Sequence, residues 1–231
     1  MRWMLTFVMT ALPALACGQE PATPTTEKDR LSYAMGMDLG AQLKTRSVEI
    51  DPAVFGRGLA DALAGGKTLL TEEEAKAVIT ELQKAMMVKQ AAAAKAAAEK
   101  NKAEGEAFLA ANKAKEGVVT LPSGLQYKIL KAGDGRKPTE ADTVECQYRG
   151  ALVDGTEFDS SYKRGQPATF KVKGGVIPGW TEALLLMPAG SKWQVFVPSS
   201  LAYGARAKSA LIGPNATLVF EIELVAINAI Q

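Results

Sequence analysis

Histidine is absent from the 231 residues of the chain. Its absence excludes Ser-His-Asp and Cys-His nucleophile systems and every histidine-ligated metal site. Cysteine occurs only at Cys17 and Cys146, too few for a Cys-rich zinc site. No metal and no cofactor is therefore expected, and any activity must need little chemistry from its side chains. Charge of one sign is also lacking. The net charge of +2 is small and dispersed, with no Lys/Arg stripe interleaved with aromatics, so nucleic acid is not an expected partner. The first apolar run is well short of the ~20 residues that a membrane span needs.

What that run does carry is a secretory pattern. Residues 1–17, MRWMLTFVMTALPALAC, place Arg2 before an apolar stretch and small residues after it. Ala14-Leu15-Ala16 suits ordinary cleavage, but Leu15-Ala16-Cys17 is also similar to a bacterial lipobox. The second reading is preferred, because the first leaves an exposed thiol at the tip of a secreted chain. It makes residues 1–16 a signal peptide and Cys17 a lipidated residue, and several acyl chains there would give stable membrane attachment. The Pro/Thr-rich stretch that follows, to Lys28, reads as a flexible tether. With Cys17 used by lipid, Cys146 has no partner, and no disulfide is expected.

Three helices are expected next. Asp29 can cap one over roughly 30–45, with Gly36 and Gly40 four apart on it. Asp51-Pro52 opens a second, with Phe55, Leu59, Ala62 and Leu63 as its apolar face and Gly65-Gly66 as its end. Thr71 and Glu74 form a capping box for a third. Ala75, Val78, Ile79, Leu82, Ala85 and Met86 give this helix a stripe that fades into an Ala/Lys/Glu run of high helix propensity. The first turns are expected to pack and the remainder, to about Asn112, to run through water. Helices over 29–90 bury too little surface to be comfortable alone, so self-association into a two-fold dimer is expected.

After Gly117 the period changes from helical to two. Strands are expected over 125–131, 143–150, 168–173, 191–197 and 216–227, the last with Leu218, Phe220, Ile222 and Leu224 on one face and Glu221 and Glu223 on the other. Between them lies Val176–Met187, VIPGWTEALLLM, in which Trp180, Ala183, Leu184 and Met187 recur at helical spacing. Five or six mostly antiparallel strands wrapped around this one short helix make an α+β domain. Aromatics at Tyr148, Phe158, Phe170, Tyr203 and Phe220 converge from several strands, which describes a small concave pocket.

Five blocks in order, YRGALVDGTEFDSSYKRGQPATF, VIPGWTEALLLM, GSKWQVFVP, LAYG and GPNATLVFEIEL, resemble the FKBP-type peptidyl-prolyl cis-trans isomerases over about 120–228. DRLSYAMGMDLGAQL and GLADALAGGKTLLTEEE are similar to the helical dimerisation domain of the macrophage infectivity potentiator (Mip)/FkpA-like group. The resemblance implies a dimerisation domain over 29–70, a long connecting helix over 71–115 and an isomerase domain over 117–231. It implies Trp180 as the pocket floor, and Tyr148, Phe158, Phe170, Val176, Ile177 and Phe220 as its walls. Leu211 and Ile212 would form a loop-side rim. Tyr203 would donate its hydroxyl to the carbonyl before the proline, the Ile177 N–H would be a second donor, and Asp159 would stand beside that carbonyl, either favouring the twisted carbonyl electrostatically or, the preferred reading, holding Tyr203 and the local loop. Ala168, the Lys173-Gly174-Gly175 stretch and Lys208 depart from the family pattern and bear on ligand affinity and sequence preference.

The resemblance also implies proline-containing unfolded or exported polypeptides as substrates, FKBP-type macrolides as inhibitors, and the cell envelope of a bacterium as the location. A dimeric chaperone clamp with incidental isomerase activity is the alternative function, and a structural or host-interaction protein a third.

Overall fold

The computed structural model describes residues 23–228. The expected signal segment and Cys17 lie outside the described residues. Contacts divide the described residues into two bodies, one up to Ala75 and one from Lys76 onward.

The first body holds α1 (Glu27–Thr45), α2 (Pro52–Ala64) and the first turn of α3 (Glu72–Lys113). Thr26, not Asp29, caps α1: its side chain accepts the N–H of Asp29, which lies inside the first turn as a charge complementing the helix dipole. Asp51 caps α2, accepting the N–H groups of Ala53 and Val54, and Gly65 ends it at φ 63°. Thr71 and Glu74 bond reciprocally at the head of α3. No residue of α1 or α2 is buried in the single chain, and Leu31, Tyr33, Met35, Leu59 and Leu63 stand exposed. The apolar first turns of α3 are open as well, at Val78, Ile79 and Leu82.

The second body is a seven-stranded antiparallel sheet wrapped around one helix. Its strands are β1 (Val118–Thr120), β2 (Gln126–Lys131), β3 (Thr143–Leu152), β4 (Glu157–Ser160), β5 (Ala168–Lys171), β6 (Lys192–Val197) and β7 (Leu218–Asn228). The order is β1-β2-β6-β7-β3-β4, with β5 also paired to β3. The expected strands are present; β1 and β4, of three and four residues, add to them and are too short to show a period. The helix is α4 (Pro178–Leu186), with Gly179, Trp180, Ala183 and Leu184 buried. They pack against the inward residues Leu218, Phe220, Ile222 and Leu224 of β7 and Trp193, Val195 and Val197 of β6. Cys146, also in this core, is a free thiol that burial pushes up to about 12, so it is inert.

The later turns of α3 correct the expectation of a helix running through water. They lie on the outer face of the sheet body. Gly105 and Asn112 are buried, Asn112 donates to the Gln126 side chain at 3.0 Å, and the Gln126 amide donates to the Leu109 carbonyl at 2.9 Å. Phe108 meets Phe196 of β6 with ring centroids 5.9 Å apart. Docking through amides, a glycine and a single Phe leaves no continuous apolar stripe to read.

Candidate active site

Six segments converge on Trp180. It sits in the first turn of α4, 4% exposed, and its indole is met nearly perpendicularly by three rings. Tyr148 of β3 is 5.3 Å away at 85°, Phe170 of β5 is 5.4 Å away at 72°, and Phe220 of β7 is 5.3 Å away at 88°. Edge-to-face packing sets the positive rim of one ring on the negative face of another. Phe158 of β4 packs on Phe220 in the same manner, at 5.7 Å and 84°. Gly150 makes that pair possible, since a Cβ there would meet Phe158 at 2.7 Å and Phe220 at 2.8 Å. Val176 and Ile177 come from the chain entering α4, Tyr203 from the turn after β6.

These residues enclose an open cup of about 150 Å³, lined by Tyr148, Phe158, Asp159, Phe170, Gly175, Val176, Ile177, Trp180, Tyr203 and Phe220. It is small beside drug-sized sites and suited to a single ring. Leu211 and Ile212 are not among its lining. Ile212 is 5% exposed in the core, and Leu211 faces a separate crevice beside Asn101 and Glu104 of α3. The long loop turns back on itself, with the Lys208 and Ser209 N–H groups donating to the Ile212 carbonyl. A larger hollow of about 350 Å³ lies between α3 and the outer sheet face. Its mixed lining, with Lys115, Lys128, Arg149 and Glu221, lacks a convergent apolar floor, so size alone does not select the site.

The polar side of the cup holds a network that the sequence did not disclose. The Tyr148 hydroxyl donates to Asp159. Arg164, from the turn after β4, donates to the other Asp159 oxygen and to the Tyr148 hydroxyl at 2.7 Å. Its guanidinium also lies 5.4 Å from the Tyr148 ring centroid. Asp159 is therefore fixed by Tyr148 and Arg164 rather than by Tyr203. Burial works against its charge, but the hydrogen bonds from Tyr148 and Arg164 outweigh burial and hold the carboxyl below its ordinary value. Arg164 stands in the YKRG run beside the FDSS motif, and that closeness to Asp159 was the available signal. The Tyr203 hydroxyl has no hydrogen-bond partner among the described residues, and burial, aided by the Asp159 charge, raises it above its ordinary value. It stays a neutral donor. Lys208 lies 5.4 Å from the Tyr203 ring centroid, a cation–π distance. The Ile177 N–H makes no backbone hydrogen bond among the described residues, while its carbonyl accepts from Trp180 and Thr181.

The cup thus offers an apolar floor, free donors at its edge and a fixed carboxylate. It has neither a nucleophile paired with a base nor an acid–base couple. Fold and cup together suit the binding of a small apolar ring beside polar groups at the edge.

Comparison with known proteins gives the class. Residues 28–129 match the family described as the domain amino terminal to FKBP-type peptidyl-prolyl isomerase, and residues 134–225 match FKBP-type peptidyl-prolyl cis-trans isomerase itself. The chain is 51% identical over 218 residues to "Outer membrane protein MIP" of Legionella longbeachae, covering 94% of this chain and 93% of that one. It is 44% identical to "Peptidyl-prolyl cis-trans isomerase Mip" of Coxiella burnetii, over 98% of both chains. Among solved structures, FkpA from Escherichia coli matches with a TM-score of 0.67 at 32% identity, over 90% of this chain and 99% of that one. The chain belongs to the FKBP-type peptidyl-prolyl cis-trans isomerases, with the amino-terminal domain matched as well, and within them it resembles the proteins named Mip and FkpA.

Proposed function

We propose that the cup on Trp180 is where this isomerase turns X-Pro bonds in unfolded, exported polypeptides. The observation that carries the reading is the convergence of three aromatic rings on one buried indole, with Phe158 packed on one of them, beside a tyrosine hydroxyl that has no hydrogen-bond partner among the described residues. Rotation about the imide is slowed by amide resonance, with a barrier of ~18–20 kcal/mol, and takes tens to hundreds of seconds unaided. In the twisted transition state resonance is lost and the carbonyl becomes less polar. An apolar, water-poor cup favours that form over the planar one, which is differential binding in the required direction. A gain of ~10⁵ needs only ~7 kcal/mol. Desolvation and shape are of the right scale, a hydrogen bond from Tyr203 orients the bound carbonyl in the cup, and no proton need move. The Ile177 N–H is a second donor to the bound chain. Asp159, clamped by Tyr148 and Arg164, acts as a fixed negative charge beside the substrate carbonyl.

The alternative of a chaperone clamp is less favoured, because both the matched family and the named relatives are isomerases. The test is cis–trans exchange of an X-Pro tetrapeptide with the full chain. Acceleration that is suppressed by an FKBP-type macrolide supports the reading, and an unchanged exchange rate refutes it.

The exposed apolar residues of α1, α2 and the start of α3 support a homodimer formed through residues 29–90. Leu63 is 80% exposed and Leu59 53%, more than a monomer leaves open on so short a segment. A Cβ at Gly36 or Gly40 would meet nothing within 4 Å, so that face of α1 is free for close approach. Leu59→Glu combined with Leu63→Glu should halve the mass seen by light scattering while leaving tetrapeptide turnover intact. The lipobox-like sequence at Cys17, with the relative named as an outer membrane protein, supports a lipid-anchored location in the bacterial envelope. Labelled palmitate incorporation lost in Cys17→Ser would test it.

A further inference from the structure

The chain just beyond Tyr203 is fastened to a helix that precedes the sheet in sequence. Asn101 on α3 donates from Nδ2 to the Pro214 carbonyl at 2.8 Å. Asn215 returns a bond from its own Nδ2 to the Ala98 carbonyl of α3 at 3.3 Å. The backbone N–H of Asn215 donates to the Gly204 carbonyl at 2.8 Å, and the Gly204 N–H donates to the Ser199 carbonyl at 2.9 Å. Gly204 follows Tyr203 directly. A continuous path therefore runs from α3 through Asn215 and Gly204 to the backbone of the tyrosine at the edge of the cup.

Two further features serve this junction. The helix carries no side chain at Gly105, where a Cβ would come within 2.2 Å of Thr217 Oγ1, so only glycine admits α3 at this distance. Asn215 holds φ 56°, a left-handed conformation that asparagine tolerates better than most residues. That conformation lets its N–H and its side chain serve two different segments. The outer part of the loop, 205–211, is exposed and has little apolar seat of its own, so these amides fix its base.

We propose that the later turns of α3 belong to the isomerase site, with Asn101 and Asn215 as positioning residues for Tyr203 and Gly105 permitting their approach. The proposal rests on the reading of Tyr203 as the donor to substrate. Its consequence is that the functional unit begins within α3 rather than at the sheet, and that a chain cut at Gly117 would lose the support of its own tyrosine.

The test is cis–trans exchange of an X-Pro tetrapeptide with the full chain as wild type, Asn101→Ala, Asn215→Gly, Tyr203→Phe, and Asn101→Ala combined with Tyr203→Phe. Asn215→Gly keeps the left-handed backbone and removes only the amide. Each asparagine variant should lower kcat about two- to tenfold, the worth of one hydrogen bond, with a smaller change in KM. In the Tyr203→Phe background Asn101→Ala should lower kcat no further. Wild-type turnover in both asparagine variants would overturn the proposal while leaving the site intact. So would an equal loss from Asn101→Ala with and without the tyrosine hydroxyl, since that marks a general structural effect. Wild-type turnover in Tyr203→Phe alone would overturn it from the other side, by removing the tyrosine's role.

Discussion

Replacing Trp180 by Phe and by Ala should separate the two things the indole does. Its Nε1–H is buried and has no hydrogen-bond partner among the described residues. An unsatisfied buried donor costs about 1–3 kcal/mol. Trp180→Phe removes that donor and keeps one ring to meet Tyr148, Phe170 and Phe220. The area it gives up corresponds to two or three methylene-sized groups, about 2 kcal/mol at ~0.8 kcal/mol each. Loss and relief nearly cancel, so the variant should unfold within about 1 kcal/mol of wild type. Trp180→Ala removes the whole ring and should cost about 3–5 kcal/mol. Denaturant unfolding followed by near-ultraviolet circular dichroism reads the stability, and tetrapeptide exchange reads the site. Turnover should fall in both variants, since the floor recedes in both, but only Trp180→Ala should lose much stability. A Phe variant as unstable as the Ala variant would refute the claim that the indole N–H is unsatisfied.

Other outcomes follow from the same geometry. Arg164→Ala removes the donors to Asp159 and Tyr148; the Asp159 titration followed by NMR should move up toward its ordinary value and turnover should fall severalfold. With Asp159 depressed, Tyr203 raised and no histidine in the chain, turnover should be flat from about pH 5 to about pH 10, the span between ordinary carboxylate and phenol values. A bell centred near neutrality would contradict that. Asp142, at the head of β3, accepts two bonds from Arg136 and two from Thr139, and these hold its carboxyl well below the usual range. Asp142→Asn should lower the melting temperature at neutral pH. A depressed folded-state carboxyl stabilises above its unfolded value and loses that effect as pH falls through the folded one, so wild type and variant should converge only in strong acid.

The sheet body was legible because its information lies in alternation and spacing. The Leu218-Phe220-Ile222-Leu224 face of β7 and the Trp180-Ala183-Leu184-Met187 stripe of α4 are periodic signals that burial alone explains. The caps at Asp51, Gly65 and Thr71 were legible for local reasons. What was hidden depends on contacts far apart in sequence. Asn101, Gly105, Phe108 and Asn112 share one face of α3, but they dock it through amides and a missing side chain, which no hydropathy pattern records. Thr26 caps α1 because its hydroxyl reaches Asp29, three residues on. Leu211 and Ile212 sit on a loop that folds back on itself and are not in the cup's lining, and Asp159 meets Tyr148 because strand pairing sets β4 beside β3.

The most direct test of the account is where a bound proline lies while its bond is being turned. NMR of the full chain with an X-Pro tetrapeptide, under conditions of accelerated exchange, should give intermolecular contacts from the proline ring protons to the Trp180 indole and the Tyr203 ring. Contacts from the proline to Phe108 and Phe196 in the outer hollow instead, with exchange still accelerated, would contradict it.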